Sequence, residues 1–476
     1  MPYATVIPAL LNPVRGPLLI LAGLLTGLCS APLAAAPGDA LTPTLDFFPP
    51  GFDRPDRPTE IDVAGNAEGR FVVIVRYGRF GDGGPIYGRT YHADGTPISP
   101  PRLLLADPDD SFEDFSADTV AMAPDGSFWL LYTRPSEANL ILAAVDLVAQ
   151  RYSPEALPMG EPVRVTTVSA TNLGVGGAGL TAAPVISVNA DGRVFVAWSG
   201  AAAASVGVGL PIPPFGVAVL GAPLSATYVR FQMLAPDGER IGLPRQVVGD
   251  ASLDITLFMF GETLPLGAAV LAPRLWPSAD GRMLIGWSTT VGGTGFDLDK
   301  IKTDFSFAAL DAEGRAVGEV VTPVTGLPSR EEIMGMAAGG DQIAFAWSLS
   351  EGDQHQRFTL DGAAANARET VDIAGSRGRV AALAGGTSAW VYGRSPGPRQ
   401  LGKTVDAQFY APTGGLVAGP LIVNAPAPAD LRNAYSADVA PTGDDFVVVW
   451  GERLNPPSLL QPEPPQEVRL RVLSGE

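Results

Sequence analysis

The pattern that organises this chain is a short alternating strand, a glycine turn, and a second apolar strand that ends in an aromatic residue. Residues 435–450 show it best: Tyr435, Ala437 and Val439 alternate with polar neighbours, Gly443 turns the chain, and Phe446 to Trp450 follow. The period of two predicts strands, and the glycine supplies the positive φ of a tight hairpin. Residues 118–132, 184–198 and 274–287 repeat it with the turns Asp125-Gly126, Asp191-Gly192 and Asp280-Gly281. Weaker copies at 62–75, 333–347 and 379–392 bring the number of units to seven.

A second hairpin follows the first in every unit. It is seen at Tyr87–Gly95, Val148–Tyr152, Arg230–Gly238, Phe307–Gly314, Gln356–Gly362, Ala407–Gly414 and Glu467–Gly475. Each of these except the last is followed by a further short strand. The unit is therefore four short antiparallel strands, and seven such units predict an all-β, seven-bladed β-propeller. The seventh unit stops after its third strand. Leu41 to Phe48 precede the first unit, and this segment is expected to supply the missing outer strand and close the ring. Pro43 is tolerable there, because an outermost strand has an unpaired edge.

Spacing between first turns is uneven: 45 residues from Asp341 to Gly386, but 89 from Gly192 to Gly281. The excess falls in two apolar inserts, near 199–229 and 250–273. No charged residue occurs between Val194 and Val229. These segments are expected either to pack on each other or to offer a contact surface. Pro211, Pro213, Pro214 and Pro223 argue against a transmembrane helix in the first.

Residues 1–36 read as a secretory signal peptide: Arg15, an apolar run to Leu28, and a small-residue tail to Ala36. Cys29 is the single cysteine and offers a rival reading as a lipidated N-terminus, although Leu28 is larger than the residue expected before it. The expected organisation is a signal peptide over 1–36, an N-terminal segment with the closing strand over 37–56, and the propeller over 57–476. The chain is expected to be exported to the periplasm, the cell surface or the exterior, with no integral span in its mature form.

Composition narrows the chemistry. Of 476 residues 32 are basic and 50 acidic, giving a formal charge of −18, which argues against nucleic acid as a partner. One cysteine excludes a Cys-cluster metal site or a disulfide framework. The two histidines, His92 and His355, lie in different units. No Gly-x-Ser-x-Gly elbow, phosphate loop or dinucleotide loop occurs. Ser278 to Gly281 is similar to the turn of sialidase propellers but lacks the spacing that should follow. Two acidic groups, Asp107/Asp109/Asp110/Glu113/Asp114 and Asp297/Asp299/Asp304, are expected to be solvated loops and no cofactor is expected; calcium is the alternative, without an EF-type loop. No catalytic or cofactor-binding residue is assigned from the sequence, and the metal question stays open. The trailing aromatics Tyr132, Trp198, Trp287, Trp347, Tyr392 and Trp450 are expected to pack between blades rather than to stack a ligand.

The paired motifs, Asp-Gly-x-Phe-Val-Val-x-Trp and x-Gln-Arg-Phe/Tyr-x-x-x-Gly, resemble the degenerate repeats of secreted bacterial propeller-like proteins. Residues 436–450 and 406–414 carry the resemblance most clearly, and it extends over about 57–476. It implies a scaffold and an exported location and assigns no activity. The function expected on this basis is a non-catalytic binding or adhesive scaffold for a protein or glycan at the bacterial surface or in the periplasm. Two alternatives stand beside it. One is a carbohydrate- or ester-directed hydrolase or lyase that uses carboxylates in the axial channel; the other is a purely structural surface component. An Asp or Arg cluster at the channel mouth would favour the enzyme.

Overall fold

A computed structural model describes residues 35–476 apart from 53–57, 79–83, 107–118, 137–143, 170–177, 181–183, 213–215, 250–268, 279, 292–301, 329–332, 350–351, 372–377, 395–403, 425–431 and 455–465. By its contacts the chain divides into Met1–Ala35 and Ala36–Glu476; the second unit is the one described. The signal-peptide reading and the second apolar insert up to 268 lie outside the described residues.

The strands form seven four-stranded antiparallel blades. Strand β1 (Leu45–Asp46) precedes blade 1, which is β2 (Pro58–Gly65), β3 (Phe71–Tyr77), β4 (Ile86–Tyr91) and β5 (Arg102–Leu105). Blade 2 is β6 (Val120–Met122), β7 (Phe128–Pro135), β8 (Ala144–Tyr152) and β9 (Pro158–Ser169). A short β10 (Ala178–Leu180) joins it edge to edge with blade 3, which is β11 (Val185–Val188), β12 (Val194–Ile212), β13 (Gly216–Leu234) and β14 (Arg240–Gly249). Blade 4 is β15 (Ala269–Pro277), β16 (Met283–Val291), β17 (Lys302–Leu310) and β18 (Ala316–Pro328). Blade 5 is β19 (Ile333–Gly339), β20 (Gln342–Leu349), β21 (Gly352–Thr359) and β22 (Glu369–Val371). Blade 6 is β23 (Arg379–Ala382), β24 (Ser388–Arg394), β25 (Thr404–Tyr410) and β26 (Leu416–Ile422). Blade 7 is β27 (Arg432–Thr442), β28 (Asp445–Leu454) and β29 (Gln466–Ser474), completed by β1.

The first strand of each blade touches the first strand of the next, through β2, β6, β11, β15, β19, β23 and β27, and back to β2. These seven strands surround the axis. Ring closure follows the sequence expectation: Leu45 and Asp46 pair antiparallel with Leu470 and Arg469. Leu41 N–H donates to Val472 O at 3.0 Å and Phe47 N–H to Val468 O at 3.0 Å.

Burial is between blades. Among the described residues seven hydrophobic clusters occur, one at each joint, and the one between blades 7 and 1 contains Phe47, Val73, Val449 and Leu470. Each trailing aromatic sits in one of them: Trp198, Trp287, Trp347, Tyr392 and Trp450 are all nearly inaccessible, and Tyr132 is buried. An alternating strand presents one side to each neighbouring blade, which is why these strands are apolar on both faces.

The Gln-Arg pair of the repeat has a structural explanation. Gln150 donates to Arg151 O at 2.8 Å, and Gln232 donates to Met233 O at 2.8 Å and Ile241 O at 3.2 Å, beside the register shift of the outer strand. The arginine reaches the next blade: Arg151 donates to Pro236 O at 2.7 Å, and Arg357 to the carbonyls of Gly386 and Pro412. These contacts lie on the face that carries the tight turns. The second-to-third and fourth-to-first connections leave from the opposite face. There β12 and β13 run on past their blade as an antiparallel ribbon, paired from Gly200↔Tyr228 to Ile212↔Gly216. The first apolar insert is thus a hairpin of backbone-paired strands.

Candidate active site

Strand register places one residue of each inner strand at a common depth in the channel. Asp62 lies opposite Ile74, Val185 opposite Ala197, Arg274 opposite Gly286, Gly335 opposite Ala346, Arg379 opposite Val391, and Asp438 opposite Val449. In blade 2, Thr119 is fixed by the Leu131 N–H that donates to its carbonyl at 2.8 Å. In ring order the level therefore reads Asp62, Thr119, Val185, Arg274, Gly335, Arg379, Asp438. Four of the seven are charged, and the two acids are neighbours.

An innermost strand has a free edge, and its N–H groups need acceptors. The acids supply them across the blade joint. Asp62 Oδ2 accepts from Thr119 N at 2.6 Å, Thr119 Oγ1 at 2.8 Å and Val120 N at 3.2 Å. Asp438 Oδ2 accepts from Val63 N at 3.1 Å, and its Oδ1 from Val439 N at 2.9 Å. Arg379 Nε stands 3.9 Å from Asp438 Oδ1, with the arginine side chain 33% exposed and the aspartate 15%. Two residues before Asp62, and on its side of the strand, Glu60 Oε2 lies 3.5 Å from Arg76 Nε. Two carboxylates from adjacent strands, each oriented by backbone N–H donors and the second with a guanidinium beside it, form a site able to move protons or to stabilise a cationic intermediate.

The sequence-level candidates fall elsewhere. His92 is exposed at the blade 1 turn, where its N–H donates to Thr96 O at 2.9 Å. His355 is buried at the joint of blades 5 and 6, its ring stacked on Tyr410 with centroids 4.1 Å apart. Burial, helped by the Arg357 charge, pushes its pKa down to about 3. The histidines do not meet. Asp107 to Asp114, Asp297 and Asp299 lie outside the described residues, and Asp304 accepts the Gly326 N–H at 2.7 Å. Among the described residues no group of three or more His, Cys, Asp or Glu side chains could hold a metal ion. No helix among them is long and apolar enough to cross a membrane.

Asp62, Arg274, Arg379 and Asp438 were present in the repeat copies but were not singled out. The signal is a charge in a column where other copies hold Thr, Val or Gly, and it becomes readable only when the copies are aligned on their turns.

No protein-family model and no curated protein matches the chain. Solved structures do. The α-L-arabinofuranosidase Arb93A from Fusarium graminearum, in complex with an iminosugar inhibitor, is 8% identical and covers 79% of this chain and 98% of its own, with a TM-score of 0.44. The α-L-arabinanase of Penicillium chrysogenum complexed with arabinobiose is 10% identical and covers 90% and 97%, with a TM-score of 0.40. The endo-arabinanase of Bacillus licheniformis is 10% identical and covers 61% and 92%, with a TM-score of 0.27. At these values the likeness is one of architecture. The expectation of a non-catalytic binding or adhesive scaffold, and of a protein that is not an enzyme, is corrected here. The three structures named are of glycan-cleaving enzymes, and the inner strands carry the mixed Asp and Arg level that the sequence reading took as favouring the enzyme alternative.

Proposed function

We propose that the chain is a carboxylate-dependent hydrolase or lyase of glycans that works in the axial channel. The observation that carries this reading is the placement of Asp62 and Asp438 at one register level on adjacent inner strands, with Arg379 beside the second. Cleavage of a glycosidic bond needs two carboxyl groups, one to protonate the leaving oxygen and one to attack or to activate water. Asp438, next to a guanidinium, suits the anionic role, and Asp62 stands as its partner. Residues 1–36 support export, which would bring such an enzyme to polymeric substrates outside the cytoplasm.

The test is release of reducing ends from a panel of plant and microbial oligosaccharides by the full chain and by Asp62→Asn and Asp438→Asn. Each amide variant is expected to lose on the order of 10²-fold or more in rate, as loss of a general acid or base does, while remaining folded by circular dichroism. Turnover unchanged in both variants, or no release from any glycan, would sink the proposal.

A further inference from the structure

The second hairpins of the blades can be aligned on their turns. In blades 1 to 6 the turn opens at a residue whose N–H donates to the carbonyl four positions ahead, as Thr359 does to Ala363 at 2.9 Å. Four residues before that donor stand Gly88, Ala149, Phe231, Phe307, His355 and Ala407, one from each blade and all buried. Five copies hold Gly, Ala or Phe in this column. Blade 5 alone holds a titratable side chain there.

His355 is fully buried, and among the described residues neither Nδ1 nor Nε2 has a hydrogen-bond partner. A ring placed so forgoes the hydrogen bonds that it would make in water. Ala346 lies opposite it on β20, and Glu369, half-buried, opposite it on β22. Arg357 is two residues further along its own strand and so on the same side. From blade 6 the rings of Tyr410 and Trp390 meet it, with centroids at 4.1 and 6.4 Å, and Tyr392 packs beside them. The charged residues of β24 and β25, Arg394 and Asp406, pair with each other at 2.9 Å.

A proton on His355 would make it a second cation beside the Arg357 guanidinium, out of water and without an acceptor. The joint has little else to keep it shut. Among the described residues its apolar cluster has four buried members, against eleven or more at each of the other six joints. A joint with few buried apolar contacts is the one that opens locally at least cost. We propose that His355 makes the joint of blades 5 and 6 an acid-operated seam: taking up a proton parts these two blades reversibly, while the other six joints stay shut. The open seam lets the imidazolium reach water and moves it away from the buried guanidinium.

Hydrogen exchange of the full chain, read by mass spectrometry at pH 7 and pH 5 and corrected for intrinsic rates, tests this. A ring with a pKa of about 3 in the closed joint and 6.5 when hydrated makes opening about tenfold or more commoner at pH 5. Amides of β21 and β25 are expected to lose protection by that factor, while those of β3 and β28, on either side of the ring closure, change much less. Return to pH 7 should restore the protection. His355→Phe and His355→Ala install what other blades use in this column, and each should remove the acid response. Equal loss of protection at all joints, no loss at β21 and β25, or a loss that both variants keep overturns the seam. Should a variant fail to fold, the pattern across the joints of the parent chain still decides.

Discussion

Asp46 and Arg469 face each other across the strand pair that closes the ring, the guanidinium Nη1 lying 2.8 Å from the carboxylate although the residues are separated by nearly the whole chain. The same arginine holds Glu452 at 2.9 Å and also pairs with Glu467. Asp46 is half in solvent, so its pair contributes about 1 kcal/mol or less. Phe47, its neighbour, is fully buried in the joint of blades 7 and 1. Removing that ring should cost about 3–5 kcal/mol through lost contacts and the cavity left behind. Urea denaturation is expected to rank Phe47→Ala well below Asp46→Asn. The reverse order would mean that charge, rather than burial, locks the ring.

The closing strand was legible because a blade with three strands implies a fourth, and one alternating apolar segment was left over. The blade count was legible for a similar reason: turns with Asp-Gly and strands of period two are local chemistry. The inner ring of charges was not. Asp62 and Asp438 acquire meaning from the Thr119 and Val63 N–H groups of other blades, and no spacing along the chain encodes which edge faces the axis. His355, which the sequence reading left without a catalytic role, is a packing residue stacked on Tyr410, and that contact too is made across a blade joint that chain spacing does not encode.

His355 makes the joint of blades 5 and 6 sensitive to acid. Its folded pKa, about 3, lies below its ordinary value of 6.5, so the folded state binds fewer protons than the unfolded chain over that interval. The stability present above pH 6.5 is therefore lost as pH falls toward 3, by up to about 1.4 kcal/mol per pH unit from this group. His355→Phe keeps a ring for Tyr410 and removes the titration. Its stability, measured by urea at pH 7 and pH 4.5, should fall less between the two than that of the parent. Equal losses would show that His355 does not titrate in this range.

The same joint depends on Arg357, which is 1% exposed. It donates to Ser388 Oγ at 2.7 Å and reaches the carbonyls of Gly386, Pro412 and Tyr410, all in blade 6. Its hydrophobic cluster is the smallest of the seven, with Ala346, Trp390, Tyr392 and Tyr410, so polar contacts carry more of the joint than elsewhere. Arg357→Met should cost about 2–4 kcal/mol, because buried carbonyls lose their donors. The corresponding change at Arg151, whose turn is nearer solvent, should cost about 1 kcal/mol. Thermal unfolding that shows equal costs would remove the claim that this joint is the polar one.

The first turns of the blades share a backbone but differ in what surrounds them. Gly126 and Gly281 both have a φ of 85°, a conformation that L side chains rarely adopt. A Cβ at Gly281 would meet nothing within 4 Å, whereas one at Gly126 would lie 2.3 Å from Arg70 Nη1. That guanidinium ties blade 1 to blade 2 through Asp125 O at 3.0 Å. Gly281→Ala should therefore cost only the backbone strain, about 1 kcal/mol. Gly126→Ala should cost more, and Arg70→Ala made in the same chain should relieve part of the excess, giving a coupling of about 0.5 kcal/mol or more in a double-mutant cycle. Additive costs would show that Arg70 moves aside freely and that the clasp between these blades does not depend on the bare glycine.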